Sequence, residues 1–131
     1  MKIMLFIFSL FLLSACTLRA KITPDGYSLQ DAMVDSSYSS EINIHGGAVF
    51  SLDANGKEKF IGEIEPSDIG LYLQYCNDSP AHNCVQVKGI PVRPGIVKVR
   101  IWGGLFGTNL STGSRFDKTY TITIKDSERS F

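Results

Sequence analysis

The sequence predicts an all-β fold, a small antiparallel β-sandwich with an open β-barrel as the alternative, and three observations carry that prediction. Period-two alternation recurs along the chain. Tyr120-Thr121-Ile122-Thr123-Ile124 puts Tyr and Ile on one face and Thr on the other, and Ile96–Trp102 buries Val97, Val99 and Ile101 if Lys98 and Arg100 face water. Helical spacing, by contrast, is not sustained over three turns anywhere beyond residue 26; Leu29–Val34 allows one or two turns at most. Finally, two pairs of apolar runs fold into hairpins whose faces match.

Taken in order, the chain begins with an address. Met1-Lys2 carries a positive charge, and Ile3–Leu13 is apolar apart from Ser9. That run is about half the length a helix needs to cross a bilayer (roughly 20 residues), so it fits the apolar region of a secretory signal peptide. It ends in Leu13-Ser14-Ala15-Cys16. Here the chain resembles bacterial lipoproteins, whose lipobox is Leu, a small residue, Ala or Gly, then Cys. The resemblance implies that Cys16 is acylated and becomes the first residue of the mature protein. Residues 1–15 are then a lipoprotein signal peptide, 16–26 a lipidated tether and 27–131 the β-sandwich domain. Thr17, where many lipoproteins retained at the inner membrane carry Asp, implies by the same resemblance the outer membrane, and the domain is expected on its periplasmic side. The tether, Thr17–Gly26, is polar, with Pro24 and Gly26 as breakers.

Glu41–His45 and Ala48–Leu52 alternate as strands. A three-residue loop, Ala54 to Gly56, then pairs Asp53 with Lys57 and Phe50 with Phe60 and gives Gly56 the left-handed position such loops require. Setting Cys16 aside leaves Cys76 and Cys84, an even pair for an oxidising compartment. Placed opposite one another, they set Tyr75 against Val85, Leu73 against Val87 and Gln74 against Gln86. Both apolar faces match in that register, and Cα atoms about 4.5 Å apart at non-hydrogen-bonded positions suit a disulfide. Asp68-Ile69-Gly70-Leu71-Tyr72 resembles the tyrosine corner of immunoglobulin-like sandwiches. Gln74 stands where that family has Cys, and the expected bridge is local, so the likeness extends only to an immunoglobulin-like outline.

Chemical motifs are sparse. Cys76, His82 and Cys84 with His45 offer zinc-type ligands, but oxidised cysteines supply no thiolate, and no metal or other cofactor is expected. His45-Gly46-Gly47 looks like an esterase oxyanion loop without the Gly-x-Ser-x-Gly elbow that gives it meaning, so it is expected to break two strands. Gly103–Gly107 lacks the Lys-Ser/Thr of a phosphate loop and is expected to be a flexible loop. Its apolar tip, Leu105 and Phe106, plugs the end of the sandwich, touches lipid or contacts a partner. Glu63 and Glu65 read as an ordinary charged strand end. No residue is singled out as catalytic, and the chain is expected not to be an enzyme.

Charge is the remaining signal. Lys+Arg 13 balance Asp+Glu 13, which argues against a nucleic-acid binder held by phosphate neutralisation. The charges are segregated, however. Asp25–Asp78 holds ten acidic residues and only Lys57 and Lys59 as bases, whereas Ser79–Phe116 holds Lys88, Arg93, Lys98, Arg100 and Arg115 and no acid. If Lys88 and Arg93 join Lys98 and Arg100, a basic face results; if strands from the two halves interleave, the charges mix. The sequence thus predicts an outer-membrane-anchored, non-enzymatic binding or accessory module. Its partners are the membrane, through the lipid on Cys16, and an envelope protein or anionic polymer, held through a β edge or the basic face. The alternative is an inhibitor or immunity lipoprotein that blocks a periplasmic hydrolase with a loop, Asn77–Asn83 or Gly103–Ser114.

Overall fold

The computed structural model describes residues 19–50, 55, 60–106 and 115–126. The signal peptide and lipobox lie outside this set. Among the described residues the strands are β1 (Lys21–Thr23), β2 (Ala32–Met33), β3 (Tyr38–His45), β4 (Ala48–Phe50), β5 (Gly62–Glu65), β6 (Leu71–Tyr75), β7 (Cys84–Gly89), β8 (Gly95–Phe106) and β9 (Arg115–Lys125). They form two sheets, one in the order β1-β3-β7-β6 and the other β2-β9-β8-β4, with β5 beside β4 on the same edge of β8. The all-β fold is therefore as expected, with one addition: the short β2 runs parallel to β9, pairing Ala32 with Ile124.

Alternation explains the two layers. Ile42 and Ile44 of β3 and Val85 and Val87 of β7 face inward from the first sheet. Val97, Val99, Ile101 and Leu105 of β8 meet them from the second sheet, with Phe116, Tyr120, Ile122 and Ile124 of β9. Each such side chain, fully removed from water, contributes roughly 1.5–3 kcal/mol. Lys98 and Arg100 face outward between their buried neighbours, as the spacing requires. Two buried tyrosines satisfy their hydroxyls on backbone carbonyls: Tyr38 donates to Gln30 (2.8 Å) and Tyr120 to Pro24 (2.6 Å).

Several expectations change. The connection read as a tether is shorter, because Lys21–Thr23 adds to β3 with Ile22 opposite Ile44. The tyrosine-corner likeness does not hold: Tyr72 is 53% exposed on the outer face of β6, since alternation turns Leu71 inward instead. Gly103–Phe106 is not a loop but the last third of β8, pairing Gly103 with Phe116, Gly104 with Phe50 and Leu105 with Val49. Gly103 serves there because the Phe116 ring lies over it. The predicted turn at Ala54–Gly56 falls outside the described residues apart from Asn55. The strand leading to it, β4, pairs with β8, and Phe60 stacks on Tyr75.

Candidate functional site

The β6–β7 hairpin adopts the expected register: Leu73 opposes Val87, Gln74 opposes Gln86, and Tyr75 opposes Val85. Cys76 and Cys84 form a disulfide, with Cα atoms 5.4 Å apart. That spacing belongs to a hydrogen-bonded pair, contrary to the expected non-bonded one, and the Cys76 amide donates to the Cys84 carbonyl (3.1 Å). The bridge leaves no thiolate for a metal, and His82 is buried in a stack, its ring centroid 3.7 Å from that of Tyr75. His45 ends β3 within 3.3 Å of the Thr23 hydroxyl. The zinc constellation is therefore not assembled.

Asn83, which nothing in the sequence singled out, fastens this end of the molecule. Its Nδ2 donates to the carbonyls of Ile44 (2.8 Å) and Gly47 (2.7 Å), and its Oδ1 accepts from the Val49 amide (3.2 Å). Its own carbonyl accepts from Ile44, and the adjacent His82 amide donates to Val49. These bonds hold the corner where the chain leaves β3 in one sheet for β4 in the other. His45-Gly46-Gly47 makes that corner, as expected of a strand breaker. Gly46 has φ +113, and a Cβ there would run into the Arg19 carbonyl.

The basic residues are not gathered. Lys88 lies on β7 in the first sheet, opposite Ser39 and Tyr72, while Lys98 and Arg100 share the outer face of β8 in the second. Arg93 lies in the connection between the two and binds Asp68 (2.7 Å). Arg100 is held by Asp117 through Nε (3.0 Å) and Nη2 (2.7 Å), lies 3.8 Å from Glu63, and covers the Trp102 ring at 4.9 Å. Glu65 stands opposite Lys98 in the same ladder. The arginines hold the Asp68 and Asp117 carboxyls below the usual carboxylate range by hydrogen bonding and charge. The four bases are thus spread over both sheets and the connection between them, with Arg93 and Arg100 paired to carboxylates. A sequence signal for this existed: Glu63-Ile64-Glu65 and Lys98-Val99-Arg100 are complementary i, i+2 patterns, and β5 lies against β8.

Of the three fates open to Leu105, plugging the sandwich, lipid or a partner, burial holds: it is 2% exposed and packs inside, because it continues the inward row of β8. Phe106 contributes backbone pairing with Ala48.

Among the described residues, β6 is the last strand of its sheet and leaves an edge. Bonds from Ile90 to Gly70 and from Cys76 to Cys84 set the phase of the β6–β7 ladder. In an antiparallel pair only alternate residues exchange bonds with the neighbour, so Tyr72, Gln74 and Cys76 use their backbone groups on β7. The amide and carbonyl of Leu73 point away from it, and among the described residues no strand pairs with Leu73 on that side. Beside this edge runs β5, itself bonded on one side to β8. The two edges bound a cleft of about 290 Å³, lined by Phe60, Ile64, Leu71 and Leu73 with Ser67 and Tyr72. Gly62 brings β5 close to β6, since a Cβ there would meet Leu73.

No protein-family model matches this chain, and no curated protein matches it.

Proposed function

We propose that this chain is a lipid-anchored, non-enzymatic binding module of the bacterial outer membrane that holds an envelope protein by pairing an extended segment of it onto β6. The observation that carries the proposal is the outward-pointing backbone of Leu73 beside an apolar cleft. Main-chain pairing on an edge supplies affinity, and a cleft receiving alternate side chains supplies selectivity. The pairing of Arg100 with Asp117 and Glu63 on the outer face of β8 favours the edge over the basic residues as the contact. The lipobox at Leu13–Cys16 supports the anchor.

The test uses the whole chain, displayed in its own host and crosslinked in the envelope. Leu73→Pro removes an edge donor that β7 does not use, and Ser67→Trp fills the cleft from an exposed position without touching the core. A partner captured by the native chain, retained by Lys98→Glu/Arg100→Glu, and lost with Ser67→Trp and Leu73→Pro supports the edge. Loss with the charge reversals and retention with Ser67→Trp returns the contact to the charged face.

A second reading, an inhibitor or immunity lipoprotein, draws on the loop Asn77–Asn83. The disulfide closes it, Asn77 Oδ1 accepts from the Ser79 amide (3.0 Å), and its base is tied down through His82 and Asn83. A preformed loop loses little entropy on binding. Replacing Asp78-Ser79-Pro80 by glycines abolishes inhibition in this reading and leaves the edge partner bound in the first.

A further inference from the structure

The chain enters the sandwich beside a second cleft, remote in role from the β6 edge. It measures about 490 Å³ and lies between the segment leading into β1 and the first residues of β9, with Ile22 and Phe116 in its lining. Three cations surround it: Arg19, Arg115 and Lys118. Among the described residues, neither Arg19 nor Arg115 takes part in an ion pair. Asp117 also lines the cleft, but its carboxylate is occupied by two N–H bonds from Arg100. Lys118 donates to the Pro24 carbonyl (3.2 Å) and lies 5.3 Å from the Tyr27 ring, with further N–H donors to spare. Tyr27 itself is 73% exposed, the most solvent-facing of the large apolar side chains described.

Basic residues around an exposed aromatic ring are the side chains that sit at the level of lipid headgroups. Position agrees with composition. Arg19 follows Cys16 by three residues, a reach of about 10 Å even when fully extended, so a lipid on Cys16 keeps this cleft at the membrane surface. Guanidinium groups match phosphate oxygens in pairs, and the cleft offers two of them with an ammonium.

We propose that this cleft seats the phosphate of an anionic phospholipid headgroup in the leaflet that carries the Cys16 lipid, and so fixes the orientation of the domain on the membrane. The inference rests on the lipid anchor of the reading above, not on the β6 edge.

The test takes the whole chain as its host processes it, purified from membranes and reconstituted into vesicles of phosphatidylcholine alone or with phosphatidylglycerol. Arginines are modified with phenylglyoxal and located by mass spectrometry, which also reports acylation of Cys16. Anionic vesicles are expected to slow modification of Arg19 and Arg115 about fivefold relative to phosphatidylcholine, with Arg93 unchanged as internal reference and the protection lost in high salt. Arg19→Gln is expected to remove the protection at Arg115, since one phosphate is shared between them. Equal modification in both vesicles, on a chain acylated at Cys16, overturns the headgroup site and leaves the anchor intact. A chain without acylation overturns both. Equal protection of the micelle-bound chain by inorganic phosphate overturns the membrane assignment in favour of a soluble anion.

Discussion

The outer face of β8 and the edge of β6 make an instructive pair. The first carries the charges that a sequence reader notices, yet Glu63, Asp117 and Arg100 answer one another and Glu65 stands opposite Lys98. The second carries nothing conspicuous, and it is there that the backbone donor and acceptor of Leu73 face outward. Side-chain charge advertises a surface only where the fold has not already matched it. An edge needs no special residue to bind, because every residue brings its own amide and carbonyl.

The largest effect that would sharpen this contrast concerns what keeps β6 in place. Replacing Cys76 and Cys84 by Ser opens a short loop and is expected to lower stability by roughly 2–3 kcal/mol in denaturant titration. Asn83→Ala comes next, at about 2 kcal/mol, since it strands the Ile44 and Gly47 carbonyls and the Val49 amide where little water reaches them. If both substitutions are neutral, the hairpin end is held by something other than the bridge and the corner bonds.

The core beneath the charged face gives a pH signature. Burial, then the charge of Asp25, pushes the Tyr120 hydroxyl up to about 12. A folded value above the unfolded one, about 10, means that the contribution is complete below pH 10 and is lost as pH rises towards 12. Melting temperature should therefore fall over that alkaline interval, and Tyr120→Phe should flatten the fall. At the acid end the sign reverses: Asp117 is held low by Arg100, so its small contribution is present above the ordinary carboxylate range and disappears below it. The smallest expected effect is that of Arg100→Ala, whose ion pairs are exposed and screened. It should shift the midpoint only slightly at neutral pH and remove part of the acid-side slope.

Legibility in the sequence followed the range of the interaction. The Cys76–Cys84 register could be read because a covalent bridge and two-residue periodicity act over a few residues and exclude a slip. Val97, Val99 and Ile101 were legible for the same reason. β5 against β8 was harder, because the partners lie far apart in the chain and any charged pair of runs offers a competing match. Gly103–Phe106 looked like a loop because glycine is poor in strands, yet the Phe116 ring requires a residue without a side chain at Gly103. Asn83 and the β6 edge left no signal at all: the first acts through a carboxamide placed by tertiary structure, the second through backbone.

Amide hydrogen exchange on the uncomplexed chain, resolved along β6, distinguishes an open edge from a covered one. Slow exchange is expected at Tyr72 and Gln74, bonded to β7, and fast exchange at Leu73 between them, which faces outward. Protection of Leu73 equal to that of Gln74 would contradict the open edge, since the edge would then already be occupied within the chain and closed to a partner's strand.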